Sequence, residues 1–176
     1  ESIDRAFHWL MAASIFVLIF TGTAPIIGLR IAWLNIHWIS GLILTFLIVA
    51  HIIRSMFWQD FKSMLLTPKD FTEPFDSSSK PGKYYFEQKG LHWAATVVVL
   101  AVIITGVLMF MQIDTPFWDR TNSMPEDQLG LVFLLHGLST LALVALASTH
   151  IYFALRPEKI FYTRSMVSGW MSEDEL

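Results

Sequence analysis

Cysteine is missing from all 176 residues. That absence excludes disulfides, thiolate-held iron–sulfur clusters, zinc ribbons and covalent cofactor attachment through C-x-x-C-H. Charge is also scarce. Asp, Glu, Lys and Arg make up 15% of the chain, against about 25% in soluble domains, while hydrophobic residues reach 54%. Four stretches hold no Asp or Glu at all: approximately Phe7–Ile27, Leu34–Phe57, Leu91–Met111 and Leu129–Leu155.

A hydrocarbon core of about 30 Å needs roughly 20 helical residues to cross it, and each stretch is long enough. Barrel strands would alternate in polarity and be about half as long. The predicted fold is therefore all-α: an integral membrane four-helix bundle forming one domain over residues 1–176. Fourteen Phe and seven Trp suit such a chain, because aromatic residues gather at membrane interfaces. No signal peptide is visible, since the first apolar run is too long for one. The chain opens at Glu1 without a Met and reads as part of something longer.

The connections set direction. Residues 28–33 make a short turn, 58–90 form a polar loop with Pro68, Pro74 and Pro81, and 112–128 are acidic through Asp114, Asp119, Glu126 and Asp127. Arg5, Arg54, Lys62, Lys69, Lys80, Lys83, Lys89, Arg156, Lys159 and Arg164 fall on one side of the four spans, and only Arg30 and Arg120 on the other. Basic residues accumulate on the cytoplasmic side. Both termini and the 58–90 loop are thus expected in the cytoplasm.

All six histidines, His8, His37, His51, His92, His136 and His150, lie within or at the edges of the spans, and none is in a loop. An ionisable side chain in a membrane is costly and defaults to a functional reading. A structural imidazole bonded to a carbonyl or hydroxyl accounts for any single one. It does not account well for six of six.

Spacing sharpens the argument. His37 to His51 and His136 to His150 are each fourteen residues, a rise of about 21 Å that returns within roughly 40° of the same helix face. Helices two and four therefore present one imidazole in each leaflet. Running parallel, they place His37 level with His136 near the outer face, and His51 level with His150 near the inner face. His8 and His92 open helices one and three, also at the inner level. Matched imidazoles on facing helices suit haem iron. Without cysteine, such a haem is b-type.

An internal repeat is expected. Helices one and three share H-W-x11-T-G, as His8-Trp9…Thr21-Gly22 and His92-Trp93…Thr105-Gly106, and helices two and four share H-x13-H. Such a parallel repeat implies a pseudo-twofold axis along the membrane normal. Gly22 and Gly106 fall on the face and level where a His37–His136 haem would be flanked. Plain helix–helix packing explains either glycine equally well.

The segments Ile3-Asp4-Arg5-Ala6-Phe7-His8-Trp9, Ile36-His37-Trp38-Ile39-Ser40-Gly41, Gly82-Lys83-Tyr84…Gln88-Lys89 and Leu135-His136…His150-Ile151-Tyr152 resemble the gamma subunit of respiratory formate dehydrogenase. That family includes hydrogenase cytochrome b subunits and related bacterial four-helix b-type cytochromes. The resemblance covers nearly the whole chain. It implies two b-haems, an outer one on His37 and His136 and an inner one on His8 and His150. It also implies an extracytoplasmic iron–sulfur, multihaem or dehydrogenase partner and exchange of electrons with quinone. The stretch that contacts quinone in the family reads Tyr84-Tyr85-Phe86-Glu87 here, where the family has Asn and a small residue at the second and fourth positions.

The family's two-haem set leaves out His51 and His92. Three readings stand. Both are structural; or His51 pairs with His150 and leaves His8 spare; or the repeat axis turns His8–His150 into His92–His51 and creates a third inner haem. Arg5, Arg54, Lys89 and Arg156 border the inner level as candidates for haem propionates, or as an ordinary positive flank. Trp9, Trp38 and Trp93 read as interface anchors. Thr21, Ser40, Thr105 and Ser139 are candidate acceptors for ligand imidazoles.

The expected function is a haem b electron-transfer subunit of a larger oxidoreductase, relaying electrons between an outer partner and quinone. The acidic 112–128 loop is a candidate docking surface. Two rivals stand beside it. One is a histidine-based metal-ion transporter, although such sites cluster near the midplane with carboxylates or broken helices. The other is a membrane quinone oxidoreductase that works without a partner.

Overall fold

The structure is a computed structural model and describes residues 2–72 and 84–170. Four long helices dominate it: α1 (Ser2–Thr23), α2 (Trp33–Trp58), α3 (Phe86–Phe110) and α4 (Glu126–Ala154), followed by a short α5 (Ile160–Ser168). The first four are each long and apolar enough to cross a membrane. Among the described residues no strand forms, and the only bridge joins Thr115 to Trp118.

The helices do not stop where the apolar stretches stop. Apolar residues mark the hydrocarbon, whereas a helix continues for as long as its backbone hydrogen bonds do. Thus α3 starts five residues before Leu91, its entry closed by the Tyr85 N–H donating to Gln88 Oε1 at 3.0 Å. Conversely, α1 ends at Thr23, short of the expected Ile27. Pro25 has no N–H to continue the ladder, and Gly28 turns the chain at φ 75°. Helix α4 opens behind Pro125 with Glu126 and Asp127 in its first turn, where carboxylates complement the helix dipole.

Packing is concentrated within two antiparallel hairpins. α1 lies along α2 and α3 lies along α4, while the hairpins approach each other at few points, chiefly between α2 and α3. The buried apolar core is small: Ala24, Leu44, Leu47, Val99, Val132 and Leu143. Most Leu, Ile and Phe side chains face outward, as suits lipid. Hydroxyls inside the spans are satisfied locally. Ser14 donates to Leu10 O, Thr45 to Gly41 O, Thr96 to His92 O and Thr140 to His136 O, each at 2.8 Å.

At the turn end of the bundle, away from the termini, Trp38 of α2 stacks on Phe110 of α3 at 5.3 Å between centroids. Phe110 in turn takes the edge of Trp118 at 4.5 Å. At the terminal end, Arg54 of α2 bonds Asp4 of α1, and Gln59 Nε2 joins the same carboxylate at 2.9 Å.

The segment after α2 folds back over the start of α3. Thr67-Pro68-Lys69-Asp70 forms a capping box, with Thr67 N–H and O–H donating to Asp70 Oδ2 at 2.6 and 2.8 Å. The other oxygen, Oδ1, accepts from Lys89 Nζ at 2.8 Å, and both side chains are buried. Lys89 was a candidate partner for propionates; its ammonium is instead held by Asp70 and the Leu65 carbonyl.

Bonds from Lys89, and then from Thr67, hold the Asp70 carboxyl down at about 2. Because the folded-state value is depressed, the stabilisation is present above the ordinary carboxylate range and is lost as pH falls through about 2. Asp70→Asn should therefore release residues 61–71 from α3 at neutral pH while leaving the four spans helical. Faster limited proteolysis within 61–71, with unchanged far-ultraviolet dichroism, is the expected readout. Equal cleavage rates in parent and variant would refute the clasp.

Candidate functional site

The outer pair of the sequence reading, at the turn end of the bundle, is built on α2 and α4. Each ring is held by the partner helix of its own hairpin. His37 Nδ1 lies 2.9 Å from Thr21 Oγ1, and His136 Nδ1 lies 2.9 Å from Thr105 Oγ1. Both hydroxyls are buried, at 1% and 7% exposure. Their own protons are already committed: Thr21 donates to Val17 O at 2.7 Å and Thr105 to Ala101 O at 2.6 Å. A hydroxyl has one proton, so each Thr accepts from its imidazole. Each imidazole thus carries its proton on Nδ1, leaving Nε2 unprotonated with a free lone pair.

Gly22 and Gly106 serve the same rings. A Cβ on either would stand 3.4 Å from Cε1 of His37 or His136 respectively. Each glycine lies against the imidazole of its own hairpin. Ser40 and Ser139 form no bond to an imidazole among the described residues.

Across the seam between hairpins, the His37 and His136 ring centroids are 6.3 Å apart, with planes inclined at 72°. At the terminal end His8 of α1 faces His150 of α4 at 6.1 Å and 52°. Two imidazole nitrogens on opposite sides of one metal ion, each about 2.0 Å away, place the ring centres roughly 6 Å apart. Both pairs match that span, and each takes one ring from each hairpin. The donors are two neutral nitrogens per site without thiolate or carboxylate, the set that bis-histidine haem requires. The residues fit the group.

The inner pair has a different surround. His8 Nδ1 is buried without a hydrogen-bond partner, and so is one terminal nitrogen of Arg5, one turn away on the same helix. The Arg5 guanidinium packs directly against Gly169, which ends α5 in the left-handed region at φ 83°. Helix α5 was not foreseen from the sequence, because its nine residues carry no long apolar run. It lies over the start of α1 through Trp9 Nε1 donating to Met166 O at 2.9 Å.

Of the four basic residues expected near the inner level, Arg54, Lys89 and Arg156 are paired with Asp4, Asp70 and Glu158. Arg5 is the one that keeps a buried nitrogen unpartnered. Among the described residues, His51 of α2 and His92 of α3 make no ring contact with each other. A separate cavity of about 330 Å³ opens nearby, lined by Ser55, Trp58, Gln59, Asp60, Met64 and Tyr84.

The profile of the prokaryotic cytochrome b561 family matches residues 1–169. The chain belongs to this family. It is a bacterial multi-pass membrane cytochrome that carries haem b and transfers electrons. It is 25% identical over 186 residues to the formate dehydrogenase cytochrome b556 subunit of Haemophilus influenzae, covering 96% of this cytochrome and 74% of the relative. It is 30% identical over 91 residues to the formate dehydrogenase cytochrome b556(fdo) subunit of Escherichia coli K12, covering 52% and 39%. No solved structure matches it.

The hydroxyl–imidazole bonds make a direct prediction for this cytochrome. Thr21→Val or Thr105→Val removes the hydroxyl that lies 2.9 Å from each imidazole Nδ1, and losing such an outer partner typically weakens metal-site affinity about 10–100-fold. Haem retention of the purified variants at increasing dilution checks this, with Thr21→Ser expected to restore the parent behaviour.

Proposed function

We propose that the chain relays electrons through two bis-histidine b-haems, one on His37 and His136 and one on His8 and His150. Electrons would pass between a redox subunit at the turn end and quinone at the terminal end. The observation that carries this reading is the pair of inter-hairpin imidazole spacings, 6.3 and 6.1 Å, at two depths on shared α4. When bound there, haem supplies one-electron reduction and re-oxidation of its iron.

The chain's residues do the rest. Held by two imidazoles each, the irons would keep no open position, which favours electron transfer over binding of oxygen or substrate. Thr21 and Thr105 orient the outer ligands and raise their basicity by accepting the Nδ1 proton. The unpartnered Arg5 nitrogen is placed to take a propionate of the inner haem, since a guanidinium matches a carboxylate in shape and charge. The stacked Trp38, Phe110 and Trp118 close the turn end and tie the two hairpins together.

The positive flank at the terminal end supports a cytoplasmic position for both termini in the inner membrane. The turn end, with acidic Asp114, Asp119, Glu126 and Asp127, would then face a partner outside. The relatives are named as formate dehydrogenase subunits, which supports a dehydrogenase as that partner. Quinone would dock at the 330 Å³ cavity beside Tyr84, where Trp58 and Tyr84 supply aromatic faces and Gln59 and Ser55 supply polar groups.

Purification from haem-replete cells, followed by reduced-minus-oxidised spectra, tests the core of the proposal. His37→Ala and His136→Ala should remove the same haem and leave the His8–His150 haem in place. A colourless parent chain, or an unchanged haem count in both variants, would defeat the reading.

A further inference from the structure

The two hairpins repeat more than their outer histidines. The Thr–His bond is 2.9 Å in both, and the Gly-to-Cε1 spacing is 3.4 Å in both. The same correspondence continues at the terminal end. His8 takes its neighbour Trp9 edge-on at 5.1 Å and 87°, and His92 takes Trp93 at 6.0 Å and 81°.

Each of these indoles then donates to a carbonyl of the segment that follows the other hairpin's last helix. Trp9 bonds Met166 O after α4 at 2.9 Å, and Trp93 bonds Met64 O after α2 at 2.8 Å. A basic side chain precedes each histidine by three residues, the half-buried Arg5 before His8 and the buried Lys89 before His92. Each reaches the same returning segment: Arg5 packs on Gly169, and Lys89 bonds Leu65 O. An axis that exchanges α1 with α3 and α4 with α2 relates all of these contacts.

That axis passes through the His37–His136 pair, which it maps onto itself. It does not map His8–His150 onto itself. The image of His8 is His92, and the image of His150, fourteen residues beyond His136, is His51, fourteen beyond His37. These two imidazoles stand on α2 and α3, the helices through which the hairpins meet. His150 is engaged by His8 at 6.1 Å, which argues against a His51–His150 pair.

We propose that His51 and His92 form a third bis-histidine haem site, beside the His8–His150 site at the terminal end and beneath the Trp93–Met64 clasp. The proposal rests on the two-haem reading above and extends it. The sites differ in charge. Lys89 is neutralised by Asp70, whereas Arg5 keeps an unpartnered nitrogen, so the two inner haems would be distinguishable. All six histidines then serve as ligands, and the haems form a branched array with one outer and two inner members.

The test is haem stoichiometry on the full chain, purified in detergent from haem-replete cells, by pyridine haemochrome against quantitative amino-acid analysis. Three haems per chain are expected. His51→Ala, His92→Ala and the double variant should each retain two, with the His37–His136 haem still visible as a low-spin ferric signal in electron paramagnetic resonance. That retained signal shows that the variant has folded. A conservative His92→Phe should behave as His92→Ala does.

Two haems in the parent, both kept in the His51 and His92 variants but lost singly on substituting His8 or His37, would overturn the third site and leave the two-haem reading intact. Retention of every haem after substituting His8 and His37 would overturn both. Counting distinct low-spin signals in the unsubstituted chain supplies an independent check, with three supporting the proposal and two opposing it.

Discussion

An imidazole within hydrocarbon has few acceptors to choose from, because the backbone carbonyls of a spanning helix already serve its own ladder. The bond from His37 to Thr21, and its counterpart from His136 to Thr105, answers that constraint. Each Thr hydroxyl spends its proton on its own helix and offers a lone pair to the next. One weak polar group thereby fixes the tautomer, the ring orientation and the register of a hairpin together. With Nδ1 engaged inside the hairpin, Nε2 is the nitrogen left for a metal in the seam. The seam exists because α1–α2 and α3–α4 pack internally and touch each other little.

Charge at the terminal end follows a complementary logic. A basic belt flanks the spans, yet most of its members near the bundle are compensated by a named carboxylate: Arg54 by Asp4, Lys89 by Asp70, Arg156 by Glu158. The exposed Arg156 pair contributes little. The buried Asp70–Lys89 pair ties a connecting segment to the start of α3. Arg5 breaks the pattern, with a buried nitrogen that no protein group satisfies. Among the described residues this donor, one turn from His8, is a basic group that the carboxylates leave unsatisfied.

Much of the design was legible before any coordinates. Hydropathy located the four spans, since lipid imposes length and polarity on each helix separately. Fourteen-residue spacing placed His37 and His51, and His136 and His150, on common faces, because helical rise and twist are local properties. Neither the capping box at Thr67 and Asp70 nor the share Lys89 takes in its carboxylate was anticipated from the sequence. Helix α5 and its clasp on Trp9 left no trace there either.

The sequence by itself determined the membrane class, the helical face on which each histidine falls and the lack of any thiolate ligand. These depend on one residue or one helix at a time. Only the tertiary structure decided which imidazoles face each other and which hydroxyl holds each ring. It also decided which basic side chains are spent on carboxylates and which remains. Those outcomes depend on the angle and distance between helices far apart in the chain, and a pattern of spacing within one helix carries no information about the neighbour it will meet.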